Sequence, residues 1–222
     1  MAKNTNSKVR RLGLLAGLGL ALAQGSAMAD VIVLDFEGLG DQTPVGDFYN
    51  GGAGTNYGIH FGSNALSIID ADAGGTGNFG NEPSASTILF FLTGSAVLDY
   101  APGFTDGFSF FYTTVGFGGT VTVWDGLGAT GNLLATINLR ALGAGPGDPN
   151  GTFSNWEAVG AAFSGTARSI DFGGTVNQVG YDNITFGSAT AGGGNRVPEP
   201  GTLGLLGLGL MGIGAARRRK QS

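Results

Sequence analysis

Short extended segments follow one another along most of this chain. Eleven of them occur between residues 31 and 186, and each is rich in β-branched and aromatic residues. Gly, Asn, Asp and Pro occupy the gaps, with no amphipathic helical stretch between the segments. The pattern predicts an all-β fold, a single β-sandwich or jelly-roll domain over residues 30–190, with strands at 31–36, 57–61, 65–69, 87–92, 96–100, 107–113, 120–124, 133–139, 156–163, 167–172 and 179–186.

Cysteine is absent from the 222-residue chain. Disulfides, thiolate zinc sites and a cysteine nucleophile are therefore excluded. The domain must draw its stability from a hydrophobic core, and a stretch of about 160 residues is long enough to enclose one.

The first 29 residues have the organisation of a secretory signal peptide. Four cations precede a short apolar stretch at residues 12–23, and Ala27-Met28-Ala29 fits the small-x-small rule for signal peptidase. We predict a signal peptide over residues 1–29, export through the Sec machinery, and a mature chain that begins at Asp30. A retained N-terminal helix is the alternative, but the apolar stretch is short for a membrane span. The cations are Lys3, Lys8, Arg10 and Arg11.

The end of the chain combines three features in order. Pro198-Glu199-Pro200 follows Val197, an uncharged run covers residues 201–216, and a block of four cations closes the run. A hydrophobic segment followed by cations is a stop-transfer signal. As a helix the run spans about 24 Å against a hydrocarbon core of about 30 Å, and six of its residues are glycine, so it suits a transient transmembrane helix. The cations are Arg217, Arg218, Arg219 and Lys220.

This order of motif, short apolar helix and basic cluster resembles the PEP-CTERM sorting signal of exported proteins in Gram-negative bacteria that make extracellular polysaccharide. The resemblance covers residues 197–222 and leaves residues 191–196 as a linker. It implies recognition by an exosortase, a membrane-embedded transpeptidase-like enzyme that removes the tail. It also implies transient insertion into the inner membrane, followed by release to the cell surface or extracellular matrix. The alternative is a simple C-terminal membrane anchor with a chance Pro-Glu-Pro.

Removal of both ends makes the charge of the chain strongly negative. Eight of the 11 basic residues lie in the two terminal segments, whereas all 16 acidic residues lie between Asp30 and Glu199. Three cations against 16 anions leave a net charge of −13. Such a surface repels nucleic acid and anionic membranes, and it favours cations, neutral sugars or calcium-bridged polymers as partners.

Two acidic positions, near the start and the end of the domain, indicate a candidate metal site. In the last predicted strand Asp182 shares a face with Ile184 and Phe186, and a carboxylate on an apolar face needs a cation or hydrogen-bond donors. Asp35-Phe36-Glu37 ends the first strand in a similar setting. The pairing is similar to jelly-roll carbohydrate-binding modules, whose terminal strands are neighbours and can each supply an acidic ligand to a structural Ca²⁺. The resemblance implies Glu37 and Asp182 as calcium ligands; a hydrogen-bonded cap of the strand ends is the alternative.

Other polar and aromatic residues form no recognisable catalytic motif. Residues 70–82 resemble the start of an EF-hand loop, but Gly74 stands at position five and Glu82 at position thirteen, so the ligand spacing is not met. His60 is flanked by apolar residues, and we predict a structural role for it. Carboxylates available for glycoside hydrolysis are Glu82, Asp125 and Glu157, but no spacing selects a pair. Core positions are predicted for most of the aromatic residues that sugars could stack on, namely Trp124, Trp156, Tyr49, Tyr57, Tyr100 and Tyr112.

Two functions are compatible with these observations. The first is a non-enzymatic surface or matrix protein that associates with extracellular polysaccharide or biofilm and can bind calcium. The alternative is a secreted glycoside hydrolase or lyase on the same fold. Two carboxylates that converge in a cleft with an aromatic platform favour the enzyme, and an aromatic strip without them favours binding.

Overall fold

Two antiparallel sheets make up the part of the chain that the structure describes, residues 31–146 and 151–192 of a computed structural model. The described residues fall within one compact unit, Ala29–Pro200, and contain no helix. The predicted all-β sandwich is confirmed. The strands are β1 (Ile32–Leu34), β2 (Thr43–Pro44), β3 (Ile59–Phe61), β4 (Leu66–Ile69), β5 (Thr87–Phe90), β6 (Ala96–Phe104), β7 (Phe108–Thr114), β8 (Gly119–Trp124), β9 (Leu133–Leu139), β10 (Trp156–Ala161), β11 (Ala167–Phe172) and β12 (Val179–Phe186).

The first sheet has the strand order β10-β7-β12-β5-β4-β2, and β1 also pairs with β12. The last strand of the domain therefore lies inside this sheet. Along one edge β12 pairs with β7, and along the other it pairs with β5 at Tyr181 and with β1 from Ile184 to Phe186. The adjacency of the first and last strands, which the resemblance to jelly-roll modules implied, is confirmed.

The second sheet has the strand order β3-β6-β11-β8-β9. Its central strand, β11, alternates apolar and polar residues, so that Ile170 and Phe172 point into the sandwich while Asp171 does not. A register shift between Ala167 and Ser169 interrupts the pairing of β11 with β6.

Aromatic rings from both sheets fill the space between them. Phe172 of β11 lies 5.8 Å from Phe110 of β7 and 5.0 Å from Tyr181 of β12, measured between ring centroids. All three side chains are almost completely buried. Full burial of one such side chain contributes roughly 1.5–3 kcal/mol, so this cluster holds the two sheets together without any disulfide.

All eleven predicted strands are present, with small differences at their ends. The sequence pattern missed β2, because a two-residue strand that contains Pro44 shows no alternation. The first strand ends at Leu34, two residues before its predicted end, since the chain turns at Phe36. β6 extends to Phe104, four residues past its predicted end.

The predictions for the termini lie outside the described residues. These are the signal peptide at 1–29 with its cleavage residues Ala27 and Ala29, most of the linker at 191–196, and the sorting tail at 197–222. No helix in the described ranges is long and apolar enough to cross a membrane.

Candidate functional site

The chain makes a sharp turn immediately after β1. Phe36 has a φ of 61°, a left-handed conformation that is uncommon for a large side chain, and its ring is fully buried. Its backbone amide donates a hydrogen bond to the Tyr49 hydroxyl at 2.7 Å. The turn places Asp35 at the surface, while the Glu37 carboxylate reaches the chain segment that leads into β5.

Glu37 and Asp182, the predicted calcium ligands, contact this same segment, residues 84–87. Glu37 Oε1 accepts hydrogen bonds from the amides of Ser86 at 2.9 Å and Thr87 at 2.8 Å. Asp182 Oδ2 accepts the Ser84 amide at 2.7 Å, and its Oδ1 accepts the Ser84 hydroxyl at 2.8 Å and the Asn183 amide at 2.6 Å. Glu37 therefore joins the turn after β1 to the start of β5, and Asp182 joins the middle of β12 to the residues just before β5.

Asp182 is completely buried, and burial raises the pKa of its carboxyl to about 7, although hydrogen bonds from Ser84 and Asn183 oppose the rise. The prediction that it shares a face with Ile184 and Phe186 is wrong. Asn183 adopts a φ of 47°, and the register with β7 shifts between Asp182 and Thr185. Because this bulge offsets the alternation, Tyr181 and Ile184 both enter the core and Asp182 faces Ser84 instead.

The groups around these two carboxylates are mostly backbone hydrogen-bond donors, which calcium cannot use as ligands. Calcium takes six to eight oxygen ligands, and a backbone N–H cannot be one of them. Here four backbone amides, those of Ser84, Ser86, Thr87 and Asn183, point at the two carboxylates. Within the described ranges no group of three or more His, Cys, Asp or Glu side chains is placed to hold a metal ion. The arrangement fits the hydrogen-bonded cap, the alternative expectation, better than a calcium cage, and a calcium titration is needed to test the ligands that the resemblance implied.

A cleft of about 380 Å³ lies beside the turn after β1. Asp35 and Glu37 line it from the turn, and the loop before β3 supplies Phe48, Tyr49 and Tyr57. Tyr49 and Tyr57 stack with their rings 28° apart at 6.2 Å, and Phe48 meets Tyr49 edge-on at 4.9 Å. The cleft thus combines carboxylates with an aromatic wall.

The loop that forms this wall depends on close backbone packing. The Gly54 amide donates to the Phe48 carbonyl at 3.1 Å, and the Tyr57 amide donates to the Tyr49 carbonyl at 2.9 Å. At Gly54 the chain passes directly over the Phe48 ring, and a Cβ there would overlap the ring. Glycine at this position therefore lets the loop fold against the aromatic side chains.

Asp70, in the loop 70–82, hydrogen-bonds within the loop itself. Asp70 is buried, and its Oδ1 accepts the Ala71 amide at 2.6 Å. Asp72, by contrast, is exposed. Asp41 braces the loop from outside by accepting the Ile69 amide at 2.9 Å and the Thr76 hydroxyl at 2.8 Å. Burial raises the pKa of Asp41, but these hydrogen bonds outweigh it and leave the pKa below its usual value.

His60 lies on the edge strand β3 with its ring exposed. Its Nδ1 lies 2.7 Å from Asp47 Oδ1, and Asn50 also donates to that carboxylate oxygen at 3.0 Å. The hydrogen bonds from Asn50 and His60 lower the pKa of Asp47. The contact of His60 is thus a surface hydrogen bond to Asp47, and a structural role stays the prediction for it.

The other candidate carboxylates have structural partners of their own. Asp125 accepts two hydrogen bonds from Asn132, one from its amide and one from its side chain. Glu157 of β10 accepts the Tyr112 hydroxyl at 2.8 Å and pairs with Arg140 at 3.0 Å. Burial, with Glu157 beside it, raises the pKa of Tyr112 to about 12. Because Arg140 follows β9, this cluster links the edges of the two sheets.

The aromatic residues divide between core and surface. Tyr112 lies in the core as predicted, and Trp124 and Trp156 are half-buried with their indole nitrogens donating to Thr122 and Gly80. The pattern of the sequence missed Phe48 as a partner of Tyr49 and Tyr57, and it missed Ser84 and Thr87 as partners of the two carboxylates. The glycine-rich run at residues 51–54 is the one signal in the sequence that this loop packs closely.

The end of the chain matches a family model. Residues 196–220 match the PEP-CTERM protein-sorting motif, which confirms the resemblance inferred from Pro198-Glu199-Pro200 and the residues after it. The chain therefore carries the sorting signal of an exported protein. No curated protein matches the sequence.

Three solved structures share a distant likeness with the chain. The carbohydrate binding module CBM6cm-2 from Cellvibrio mixtus lichenase 5A, in complex with cellotriose, is 14% identical over 56% of this chain and 86% of its own, with a TM-score of 0.35. A glycoside hydrolase family 43 arabinoxylan arabinofuranohydrolase from Bacillus subtilis is 17% identical over 67% of this chain, with a TM-score of 0.37, and the match spans only 28% of that enzyme. The K3 cleaved adhesin domain of Lys-gingipain from Porphyromonas gingivalis is 15% identical over 71% of this chain and 91% of its own, with a TM-score of 0.31.

Proposed function

We propose that this protein is a non-enzymatic component of the cell surface or extracellular matrix that binds polysaccharide through the cleft beside β1. The observation that carries the proposal is the joint lining of the cleft by Tyr57, Phe48 and the exposed carboxylate of Asp35. Aromatic faces stack on the apolar faces of sugar rings, and carboxylates accept hydrogen bonds from sugar hydroxyls. A volume of about 380 Å³ is in the range of small-ligand sites.

The sorting motif supports the location. It identifies an exported chain that an exosortase sorts, and export brings the folded domain into contact with extracellular polymers. The net charge of −13 between Asp30 and Glu199 argues against nucleic acid and anionic membrane surfaces as partners.

The hydrogen bonds of the carboxylates favour binding over hydrolysis. A glycosidase needs two carboxyl groups that both reach the substrate. Glu37 lines the cleft beside Asp35, but its Oε1 is occupied by the amides of Ser86 and Thr87. Asp182 has the raised pKa that a general acid needs, but it is completely buried and is not part of the cleft lining. Of the two carboxylates in the lining, Asp35 is therefore the one with fewer and longer hydrogen bonds to the protein.

The test uses protein recovered after export from a host that carries the sorting enzyme. We expect it to co-sediment with the extracellular polysaccharide of that host, and we expect Tyr57→Ala to lower the affinity at least tenfold. Phe117→Ala removes an exposed aromatic side chain that does not line the cleft, and it should leave binding unchanged.

The same samples separate binding from catalysis. We expect no new reducing ends and no unsaturated products when the protein is incubated with the polysaccharide. Release of such products by the wild type but not by Glu37→Gln would support the glycoside hydrolase or lyase alternative. Absence of binding to any polysaccharide tested would overturn the proposed function.

A further inference from the structure

Both charged side chains that line the cleft are acidic. They are Asp35 and Glu37, and the rest of the lining is aromatic, aliphatic, glycine and threonine. We infer that the cleft selects polysaccharides that carry free amino groups, such as partly deacetylated polymers of an amino sugar, over neutral and acidic ones. This inference rests on the proposed function and names the class of polymer that the cleft takes.

Asp35 is the carboxylate that is placed to receive an ammonium group. Its side chain is exposed, its Oδ1 accepts one long hydrogen bond from the Glu37 amide at 3.3 Å, and its Oδ2 accepts none from the described residues. Glu37, in contrast, uses Oε1 for two short bonds to backbone amides. Charge-assisted hydrogen bonds between an ammonium and a carboxylate are roughly twice as strong as neutral ones. Asp35 can thus make its strongest contact with a cation.

The aromatic wall supports the same ligand. Cations are attracted to the faces of aromatic rings within about 6 Å of the ring centre. Tyr57 is partly exposed and stacks on Tyr49, which in turn packs edge-on against Phe48. Tyr57, the outer ring of this stack, can cover the apolar face of a sugar ring. The amino group of the same sugar can then meet Asp35. A single hexosamine residue presents both features.

The placement of cations disfavours acidic polymers. The described residues include two arginines, Arg140 and Arg168, and neither lines the cleft. Arg140 pairs with Glu157 at the joined edges of the sheets. A uronate or sulfated polymer would therefore meet two carboxylates without any compensating cation. The like charges of polymer and cleft would repel each other.

The experiment compares two oligomers that differ only in acetylation. Isothermal titration at pH 6 measures the dissociation constants of a β-1,4-linked glucosamine hexamer and of its fully N-acetylated counterpart. We expect the free amine to bind at least tenfold more tightly, with the advantage falling as salt is raised, because Asp35 lies at the surface. An oligomer of uronic acid should show no binding.

Variants separate the cleft from the general charge of the domain. Asp35→Asn and Asp72→Asn each remove one exposed negative charge, and Asp72 does not line the cleft. We expect Asp35→Asn to abolish the preference for the free amine and Asp72→Asn to keep it. Asp35→Glu retains the charge and should keep most of the preference, and a thermal melt of each variant verifies that it is folded.

The outcomes separate failure of the amine selectivity from failure of polysaccharide binding itself. Equal affinity of the wild type for both hexamers, together with binding to the host polysaccharide, overturns the selectivity and leaves the proposed function standing. Equal losses in Asp35→Asn and Asp72→Asn also overturn the selectivity, because attraction would then come from the whole acidic surface. Failure to bind any of these polymers overturns both.

Discussion

Asp182 and Ser84 are joined by two hydrogen bonds, one from the Ser84 amide at 2.7 Å and one from its hydroxyl at 2.8 Å. They are separated by 98 residues in the chain. The Ser84 hydroxyl also contacts the Asp35 carbonyl at 3.2 Å, so one serine links the last strand, the entry to β5 and the turn after β1. The turn after β1, which supplies Asp35 and Glu37 to the cleft, is therefore fixed by contacts between parts of the chain that are distant in sequence.

Replacement of Asp182 by asparagine should destabilise the domain. The three donors around the carboxylate, from Ser84 and Asn183, approach both oxygens, and an amide NH₂ in place of one oxygen would face a donor. A buried group left without its partner costs about 1–3 kcal/mol of unfolding free energy. Urea denaturation of Asp182→Asn measures the loss, and Asp72→Asn, at an exposed position, should stay within about 0.5 kcal/mol of the wild type.

The stability of the wild type should fall with rising pH relative to Asp182→Asn. The pKa of Asp182 is about 7 in the folded protein, above its value of about 3.9 in the unfolded chain. Between these values the native state binds more protons than the unfolded state, so the contribution of this group is greatest at low pH and is lost as pH rises through about 7. Denaturation at pH 5, 6, 7 and 8 should show the difference between the two proteins shrinking by more than about 1 kcal/mol.

The window from pH 5 to 8 isolates this carboxyl. Asp41 and Asp125 have lowered pKa values, so their contributions are lost only in more acidic solution. Groups that are distant from Asp182 contribute equally in both proteins and cancel in the comparison. A difference that stays constant across the four pH values would show that Asp182 does not titrate in this range.

Tyr49→Phe should loosen the turn after β1. The Tyr49 hydroxyl accepts the hydrogen bond of the buried Phe36 amide, and phenylalanine would leave this amide without an acceptor. We expect a loss of about 1–3 kcal/mol in unfolding free energy. Tyr100→Phe is the matched control, since the Tyr100 hydroxyl makes no hydrogen bond to the described residues, and it should change stability by less than about 0.5 kcal/mol. Equal effects of both variants would contradict a role for the hydroxyl.

Thermal melts with excess calcium and with a chelator should coincide. We expect this because backbone amides already point at Glu37 and Asp182. Calcium at about 100 times its dissociation constant would add about 2.7 kcal/mol, which is a melting shift of roughly 5–10 °C for a domain of this size. A shift of that size in the wild type, lost in Glu37→Gln or Asp182→Asn, would restore the structural calcium that the resemblance implied.

Processing should remove the basic end of the tail. Intact-mass measurement of protein released by a host with the sorting enzyme should give a chain that begins at Asp30 and lacks Arg217 and everything after it. A double substitution, Pro198→Ala with Pro200→Ala, should retain the full C-terminus because the sorting motif at 196–220 is damaged. A released wild-type protein with its C-terminus intact would contradict exosortase processing.

The strands could be predicted from the sequence because each carries its own alternation, as in the inward Ile170 and Phe172 around Asp171. The bulge at Asn183 could not, because the shift in register depends on the pairing of β12 with β7. Asparagine tolerates a positive φ, which was the only local hint. Phe36 gave no hint at all, since a large aromatic residue rarely adopts the left-handed conformation.

The candidate site was predictable only in part. The sequence pointed to Glu37 and Asp182 because the segments around them resemble the terminal strands of known modules. In the structure both carboxylates accept hydrogen bonds from residues 84–87. Their partners, Ser84 and Thr87, lie just before and at the start of β5 and have no motif of their own. The cleft also depends on how the loop of residues 49–57 folds back over Phe48, and only the glycine-rich run at 51–54 hints at that packing in the sequence.

The central place of β12 in the first sheet sets when that sheet can close. Its partners β1, β5 and β7 all precede it in the chain, and none of the three can complete its pairing until residues 179–186 are available. Closing contacts so distant in sequence is slow, because the entropy of the intervening chain must be lost first. Only about ten residues separate β12 from the sorting motif at 196–220. The sheet therefore cannot close before its last strand has been synthesised, and the sorting motif follows that strand almost at once.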